Sequence, residues 1–105
     1  MQIQIDSDVE KFIKSLEKAT IAKVARTVVL LEKFGFRLTM PHSKKVSDNL
    51  FELRIRGQQE VRMLYCFHKD EIYLLTGFVK KSPTIPKKEI DRAKNKSKAL
   101  TWYNL

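Results

Sequence analysis

The stretch of the chain from Leu50 to Lys81 constrains the fold more than any other, because apolar and polar side chains alternate along it. A period of two residues is typical of half-buried β-strands. Two short polar connections divide the stretch, so it predicts three antiparallel strands, Phe51–Arg56, Glu60–Phe67 and Ile72–Lys81. The third strand is apolar on both faces, as expected of a strand with neighbours on each side or a covered surface.

The alternation also predicts how these strands pair, because a slip of one residue would turn a whole apolar row outward. With a turn at residues 57–59, Arg54 lies opposite Arg62 on the polar face of the sheet. Like charges in that position are destabilising, but two guanidinium groups on a solvated face also suit a phosphate. The same register is expected to place Gly77 beside Arg62 and Lys81 on the same face. The sequence therefore predicts an open basic patch.

Two amphipathic helices precede these strands and are expected to form a hairpin. Met1–Asp6 predicts a short strand, and Ser7 with Glu10 matches a capping box at the start of the first helix. The apolar side chains of that helix are Val9, Phe12, Ile13, Leu16 and Ala19. The second helix runs from about Thr20 to Phe34, with a buried stripe of Ile21, Val24, Ala25, Val28 and Leu31. Gly35 supplies its stop.

The remaining segments complete a predicted α+β fold. Residues 36–49 show no regular period and predict a long surface connection. Lys87–Leu100 predicts a final helix with a thin apolar stripe, and Trp102 and Tyr103 follow it. The expected architecture is an N-terminal helical hairpin packed on one face of a small, mostly antiparallel, curved sheet, with a C-terminal helix, in a single domain of residues 1–105.

The composition limits the classes of function. The net charge of +9 over 105 residues indicates an anionic partner, either nucleic acid or an acidic protein. The lone cysteine, Cys66, excludes an internal disulfide and favours a buried, inert thiol in a reducing cytoplasm. His42 and His68 stand apart from other ligands, so no metal site is expected. The sequence contains no glycine-rich loop for a nucleotide cofactor, no membrane span and no signal peptide.

The candidate chemistry therefore lies in the basic residues. Those expected to share one region are Arg54, Arg56, Arg62, Lys80 and Lys81, with His42, Lys44 and Lys45 in the connection before the sheet. Such a group can simply bind phosphates. It can also cleave RNA without a metal, because the 2′-hydroxyl attacks the adjacent phosphorus while fixed positive charge stabilises the transition state. No residue is singled out for proton transfer.

The segment from roughly Met40 to Ala93 resembles a known family. The strands FELR and VRMLY, the ending GFVKK, the helix start PKKEI and the upstream PHSKK are similar to the HigB-like, phage-derived branch of the RelE/ParE toxin superfamily. The resemblance implies the toxin of a type II toxin–antitoxin system that cleaves mRNA on the ribosome, a cytoplasmic mRNA endoribonuclease (mRNA interferase) without a cofactor. It further implies a cognate antitoxin as partner, alongside the ribosome and mRNA.

The resemblance also implies roles for individual residues. Arg54 and Arg62 match the strand residues that contact the scissile phosphate, and Lys80 and Lys81 match the basic end of the next strand. The RNA-contacting set is His42, Lys44, Lys45 and Arg56. Ser82–Pro86 lacks the tyrosine or histidine that assists catalysis in many relatives, so Tyr103 and His42 stay open as substitutes. A ParE-like gyrase inhibitor without nuclease activity, a non-catalytic basic interaction module and an inactive phage remnant also stay open.

Overall fold

The sheet has five strands in the order β1-β5-β4-β3-β2, with β1 parallel to β5 and every other neighbouring pair antiparallel. The computed structural model describes residues 1–103, and of Tyr103 only the backbone. The strands are β1 Gln2–Ile5, β2 Ser43–Ser47, β3 Leu50–Ile55, β4 Val61–His68 and β5 Glu71–Val79. The helices are α1 Ser7–Lys14, α2 Lys18–Phe34 and α3 Lys87–Tyr103, with a 3-10 turn at Gly35–Arg37. The predicted α+β class is confirmed.

The predicted pairing of β3 with β4 is also confirmed, with Arg54 opposite Arg62. The odd-numbered side chains of both strands point towards α1 and α2 and form the larger of two apolar clusters. Its buried members from the sheet are Leu53, Ile55, Val61, Met63, Tyr65, Ile72 and Leu74, and those from the helical region are Val9, Leu16, Val24 and Leu31. The helical hairpin therefore packs on the face that the alternation predicted.

The β4–β5 pairing differs from the prediction because the register shifts between Leu64 and Tyr65. A bulge of this kind adds one residue to one strand and moves every later residue to the other face. Gly77 consequently lies opposite Met63, and Phe78 lies opposite Arg62. The expectation that Gly77 lies beside Arg62 was wrong. Gly77 instead sits beneath Phe12 of α1, whose Cδ2 atom would lie 2.6 Å from any Cβ added there.

The first helix begins and ends earlier than the sequence pattern predicted. Its N-cap is Asp6, whose Oδ2 accepts a hydrogen bond from the N–H of Asp8 at 3.0 Å, so the capping box on Ser7 was wrong. The hydroxyl of Ser15 donates to the carbonyl of Phe12 at 2.6 Å and competes with the helical ladder where α1 stops. Leu16 is buried in the link between the helices, whereas Ala19 is exposed on α2.

The predicted stripe of α2 is largely confirmed, since Val24 and Leu31 are buried and Ile21 and Val28 pack half-buried against the same cluster. Ala25 is exposed, and Thr20 and Thr27, which were not predicted, are buried. Thr27 tolerates burial because its hydroxyl donates to the carbonyl of Lys23 at 2.8 Å. A threonine whose hydroxyl is satisfied within its own helix reads as polar in the sequence and behaves as a core residue in the fold.

The predicted long connection contains an edge strand, β2, and was wrong in that respect. β2 pairs antiparallel with β3, with Lys44 opposite Glu52. The hydroxyls of Ser43 and Tyr65 lie 2.5 Å apart and tie β2 to the buried face of β4. The sequence of this strand shows no apolar alternation, and its exposed side chains are lysines. Lysines are typical of edge strands, where they hinder pairing with a strand of another molecule.

The second face of the sheet is covered by α3, and the expectation of a solvated face was wrong. Leu50, Leu64, Cys66, Leu75, Phe78 and Ala93 form a second buried apolar cluster there. The ammonium of Lys96 on α3 donates to Asp6 Oδ2 at 2.7 Å, Asp8 Oδ2 at 3.3 Å and the carbonyl of Leu75 at 3.0 Å. The sequence obscured this packing because one small residue, Ala93, supplies the buried centre of the helix contact.

We expect Gly77→Ala to lower the free energy of unfolding by about 1–3 kcal/mol, because the new methyl group overlaps the ring of Phe12. Urea denaturation at neutral pH measures the change. Gly57→Ala is the matched control: its methyl would meet the movable Nζ of Lys23 at 2.5 Å, and we expect a change within about 0.5 kcal/mol. Equal losses in both variants would contradict the packing of Phe12 over Gly77.

Candidate functional site

A basic cleft opens at the end of the sheet where β3 ends and β2 begins. It is bounded on the other side by the connector between β5 and α3, and it encloses about 350 Å³. We call it the strand cleft. Its lining residues are Lys44, Lys45, Val46, Glu52, Arg54, Lys80, Pro83, Thr84, Ile85 and Ile90. Four cations and one carboxylate line this surface, so its charge favours an anion.

Backbone hydrogen bonds hold these cations in place. The pairing of β2 with β3 fixes Lys44 beside Glu52. Lys80 follows the end of β5, and its N–H donates to the carbonyl of Glu60 at 2.7 Å, which extends the sheet by one contact. All four cations therefore project from strands or their immediate ends, which positions them more firmly than a free loop would.

Glu52 lies between the two opposed arginines. Its Oε1 is 3.6 Å from Nε of Arg54 and 3.8 Å from Nε of Arg62, which are ion-pair rather than hydrogen-bond distances. The side chain of Arg54 is 15% exposed and that of Arg62 is 2% exposed. The prediction that both guanidinium groups meet in solvent was wrong, because only Arg54 reaches the cleft surface.

Arg62 is held in the interior by further contacts. Its Nη1 donates to the carbonyl of Val61 at 2.9 Å, and its Nη2 donates to Oε1 of Glu60 at 3.2 Å. A buried charge is tolerated only when it is paired and hydrogen-bonded. Arg62 is hydrogen-bonded to Val61 and Glu60, and its ion pair with Glu52 at 3.8 Å stabilises the carboxylate that also faces Arg54.

A second basic cleft, of about 420 Å³, lies between α2 and β3. We call it the helix cleft, and its lining residues are Lys23, Arg26, Thr27, Leu30, Pro41, His42, Arg54, Ile55 and Arg56. The N–H of Arg54 donates to the carbonyl of His42 at 2.8 Å, which fixes the segment before β2 against β3. Arg54 is the residue that lines both clefts.

The structure brings together most of the residues that the sequence indicated. Lys44, Lys45, Arg54 and Lys80 line the strand cleft, and His42, Arg54 and Arg56 line the helix cleft. Lys81 is exposed and belongs to neither lining, and Arg62 lies buried behind Glu52. The side chain of Tyr103, a candidate for proton transfer, lies outside the described residues.

Sequence reasoning missed three charged residues of these clefts, Glu52, Lys23 and Arg26. The sequence did carry a signal for Glu52, since it lies two residues before Arg54 and therefore on the same face of one strand. Lys23 and Arg26 had none, because about thirty residues separate them from β3 and only the packing of α2 brings them there.

The family comparison bears on this geometry. The family model described as "Phage derived protein Gp49-like (DUF891)" matches residues 11–98, which include both clefts. The chain belongs to this family. Gp49-like proteins are phage-derived and toxin-like, which confirms the predicted resemblance at that level. No curated protein matches the chain.

Other titratable groups of this Gp49-like protein lie inside the fold. Burial raises the pKa of the Cys66 thiol, with a hydrogen bond involving Ser97 acting weakly in the other direction. Burial also raises the pKa of Tyr65, whose hydroxyl faces Ser43. Both groups therefore stay protonated at neutral pH, and the expectation that Cys66 is buried is confirmed.

Within residues 1–103, no three His, Cys, Asp or Glu side chains are grouped as metal ligands. Over the same part of the chain, no helix combines the length and apolar character needed to cross a membrane. Glu52 and Glu60 are instead paired with arginines of the β3–β4 hairpin.

We expect Arg62→Ala to destabilise the protein far more than Arg54→Ala. Removing Arg62 leaves Glu52 buried beside one guanidinium, which should cost about 3–5 kcal/mol. Removing Arg54 leaves the contact between Glu52 and Arg62 intact, and we expect a loss of about 1–2 kcal/mol. Urea denaturation of both variants measures the difference. Equal stabilities would contradict the assignment of Arg62 to the interior.

The stability contributed by Glu60 should disappear in acid. The N–H of Gly57, which donates to Glu60 Oε2 at 3.1 Å, lowers the pKa of that carboxyl below its ordinary value of 4.5, and Arg62 and Arg56 act in the same direction. A lowered folded-state pKa gives stability that is present above about pH 4.5 and is lost as the pH falls through the folded value.

Glu60→Gln should therefore destabilise the protein at about pH 7, and the difference from the parent should shrink towards about pH 3. Denaturant titrations at both pH values measure it. The matched variant is Glu10→Gln, whose carboxyl is exposed on α1, 3.6 Å from Lys14. A difference for Glu60→Gln that does not change with pH would contradict the role given to its ionised form.

Proposed function

We propose that this Gp49-like protein is the toxin of a type II toxin–antitoxin system and a HigB-like, ribosome-dependent mRNA endoribonuclease. The observation that carries the proposal is the strand cleft, where Arg54 and three lysines surround a space large enough for a nucleotide. Membership of a phage-derived, toxin-like family supports it. The protein acts in the cytoplasm, where a cognate antitoxin neutralises it.

The proposed reaction needs no metal ion. The 2′-oxygen of the RNA forms a bond to the adjacent phosphorus, and the bond from phosphorus to the 5′-oxygen breaks, which leaves a 2′,3′-cyclic phosphate and a 5′-hydroxyl. Negative charge builds on the phosphoryl oxygens in the transition state, where Arg54 and Lys80 stabilise it. Lys44 and Lys45 on β2 hold the flanking RNA backbone.

Arg62 acts in this proposal as a positioning residue. It compensates the charge of Glu52 from the interior side, so that Glu52 orients Arg54 without neutralising the cleft. Lys81 is exposed beside Lys80 and contacts the RNA backbone.

Glu52 is also the group of the strand cleft that accepts the proton of the 2′-hydroxyl. Lysines are protonated at neutral pH and cannot accept it, whereas a carboxylate can. A proton must also reach the leaving 5′-oxygen, and Lys80 is placed in the same lining to give it. His42 lines the helix cleft and serves in binding.

We expect Arg54→Ala to abolish growth arrest in cells, with a loss of cleavage rate of about a hundredfold or more. Sequencing the 5′ ends of cellular transcripts after induction measures the cleavage, and cuts in phase with codons identify a ribosome-dependent nuclease. Lys14→Ala is the control, because this side chain is 77% exposed on α1 and lines neither cleft.

The same experiment separates the proposal from its alternative. Growth arrest with DNA damage and without transcript cuts would assign the protein to the gyrase inhibitors. Full toxicity of Arg54→Ala, with the variant folded by circular dichroism, would overturn the role of the strand cleft.

A further inference from the structure

The helix cleft has a concentration of positive charge that the stability of the fold does not require. Four permanently charged side chains line it, Lys23, Arg26, Arg54 and Arg56, together with His42. Among the described residues of this lining there is no Asp or Glu. Glu52 and Glu60 lie outside this lining and compensate Arg54 and Arg56, each at 3.6 Å, whereas over the described part of the chain no ion pair involves Lys23 or Arg26. Like charges gathered in this way raise the energy of the fold, and an anionic ligand relieves that repulsion.

The cations of the helix cleft come from elements that are held against each other. Nζ of Lys23 on α2 donates to the carbonyl of Arg56 at 3.3 Å, across the turn that follows β3. Arg56 is 3.6 Å from Glu60, outside the lining, and its side chain is 65% exposed. The ammonium of Lys23 is therefore held against the end of β3, whereas the side chain of Arg56 is accessible to solvent.

The floor of the helix cleft is apolar. Leu30 of α2, Pro41 and Ile55 of β3 contribute to its lining between the charged groups. An isolated phosphate would gain nothing from such a floor, whereas a nucleotide places its phosphate on the cations and its flat base on the apolar surface. Arginine planes also stack on unpaired bases.

Arg54 joins the helix cleft to the strand cleft. Its Nε faces Glu52 of the strand cleft at 3.6 Å, and its Nη1 lies 3.3 Å from Sδ of Met40, next to Pro41 of the helix cleft. A single strand of RNA with one phosphate on Arg54 would therefore continue from one cleft into the other.

We propose that the helix cleft is a second nucleotide subsite, which binds the nucleotide adjoining the scissile phosphate on the same RNA strand through Lys23 and Arg26. That the bound nucleotide adjoins the scissile phosphate rests on the proposed function, whereas the binding of single-stranded RNA by this cleft does not. An acidic protein segment would satisfy the charges as well, but it would not supply the regularly spaced phosphates that Arg54 can share between two clefts.

The test uses the purified chain and fluorescein-labelled, uniformly 2′-O-methylated RNA, which binds but cannot be cleaved because its 2′-oxygen is blocked. Fluorescence anisotropy gives the dissociation constant of a dinucleotide and of a hexanucleotide at several salt concentrations. The variants are Arg26→Gln and Lys23→Gln, and Lys14→Gln on α1 is the matched loss of charge outside both clefts. Circular dichroism establishes that each variant is folded.

We expect each helix-cleft variant to bind the hexanucleotide about threefold to tenfold more weakly at about 0.1 M salt. The slope of log affinity against log salt concentration should fall by about 0.7, the value for one lost phosphate contact on a single strand. The dinucleotide is too short to span both clefts, so its affinity should change much less in these variants. Lys14→Gln should leave both the hexanucleotide affinity and its salt slope unchanged.

Unchanged salt slopes for Arg26→Gln and Lys23→Gln would overturn the subsite, whatever the cleavage assay shows. A second outcome would also overturn the subsite: poly-L-glutamate binds the parent in preference to the hexanucleotide, and both variants lose this preference but still bind the hexanucleotide. That result would assign the cleft to an acidic protein segment. Weakened hexanucleotide binding in a chain that cuts no transcript would support the subsite as an RNA-binding site and reject the nuclease.

Discussion

The buried carboxylate of Glu52 is the contact on which the rest of this structure depends. The pairing of β3 with β4 places Arg54 directly opposite Arg62, an arrangement that is unfavourable by itself. Glu52 lies within 4 Å of both Nε atoms and turns a repulsive pair into a compensated group of three charges. For that reason the central hairpin keeps the register that forms the larger apolar cluster, although this register places two arginines opposite each other.

The helices cover both faces of the sheet. α1 and α2 cover one face and α3 covers the other, so the middle of the sheet is closed on both sides. The edge strand β2 and the end of the sheet beside it border open clefts. Both clefts lie there, and Arg54 stands at the boundary between them. The cations of the two clefts therefore adjoin each other at Arg54.

Much of the fold could be predicted from local pattern because strand alternation and helix periodicity act over a few residues. The three central strands, the pairing of Arg54 with Arg62 and the helical hairpin follow from it. The bulge after Leu64, the edge strand β2 and the docking of α3 do not. Each of these depends on contacts with distant residues, such as Tyr65 for Ser43 and Leu75 for Lys96.

The amino-acid sequence by itself determined the class of fold, the excess of positive charge and the identity of the cations at the end of the sheet, because these depend on composition and on short periods. Only the tertiary structure decided which of the two central arginines reaches the surface of the strand cleft. Arg62 contacts the carboxylates of both Glu52 and Glu60 and is 2% exposed, whereas Arg54 pairs with Glu52 alone among the described carboxylates and is 15% exposed, because the burial of a strand residue depends on which distant elements cover it. The second cleft was likewise decided by packing, which brings Lys23 and Arg26 of α2 to β3.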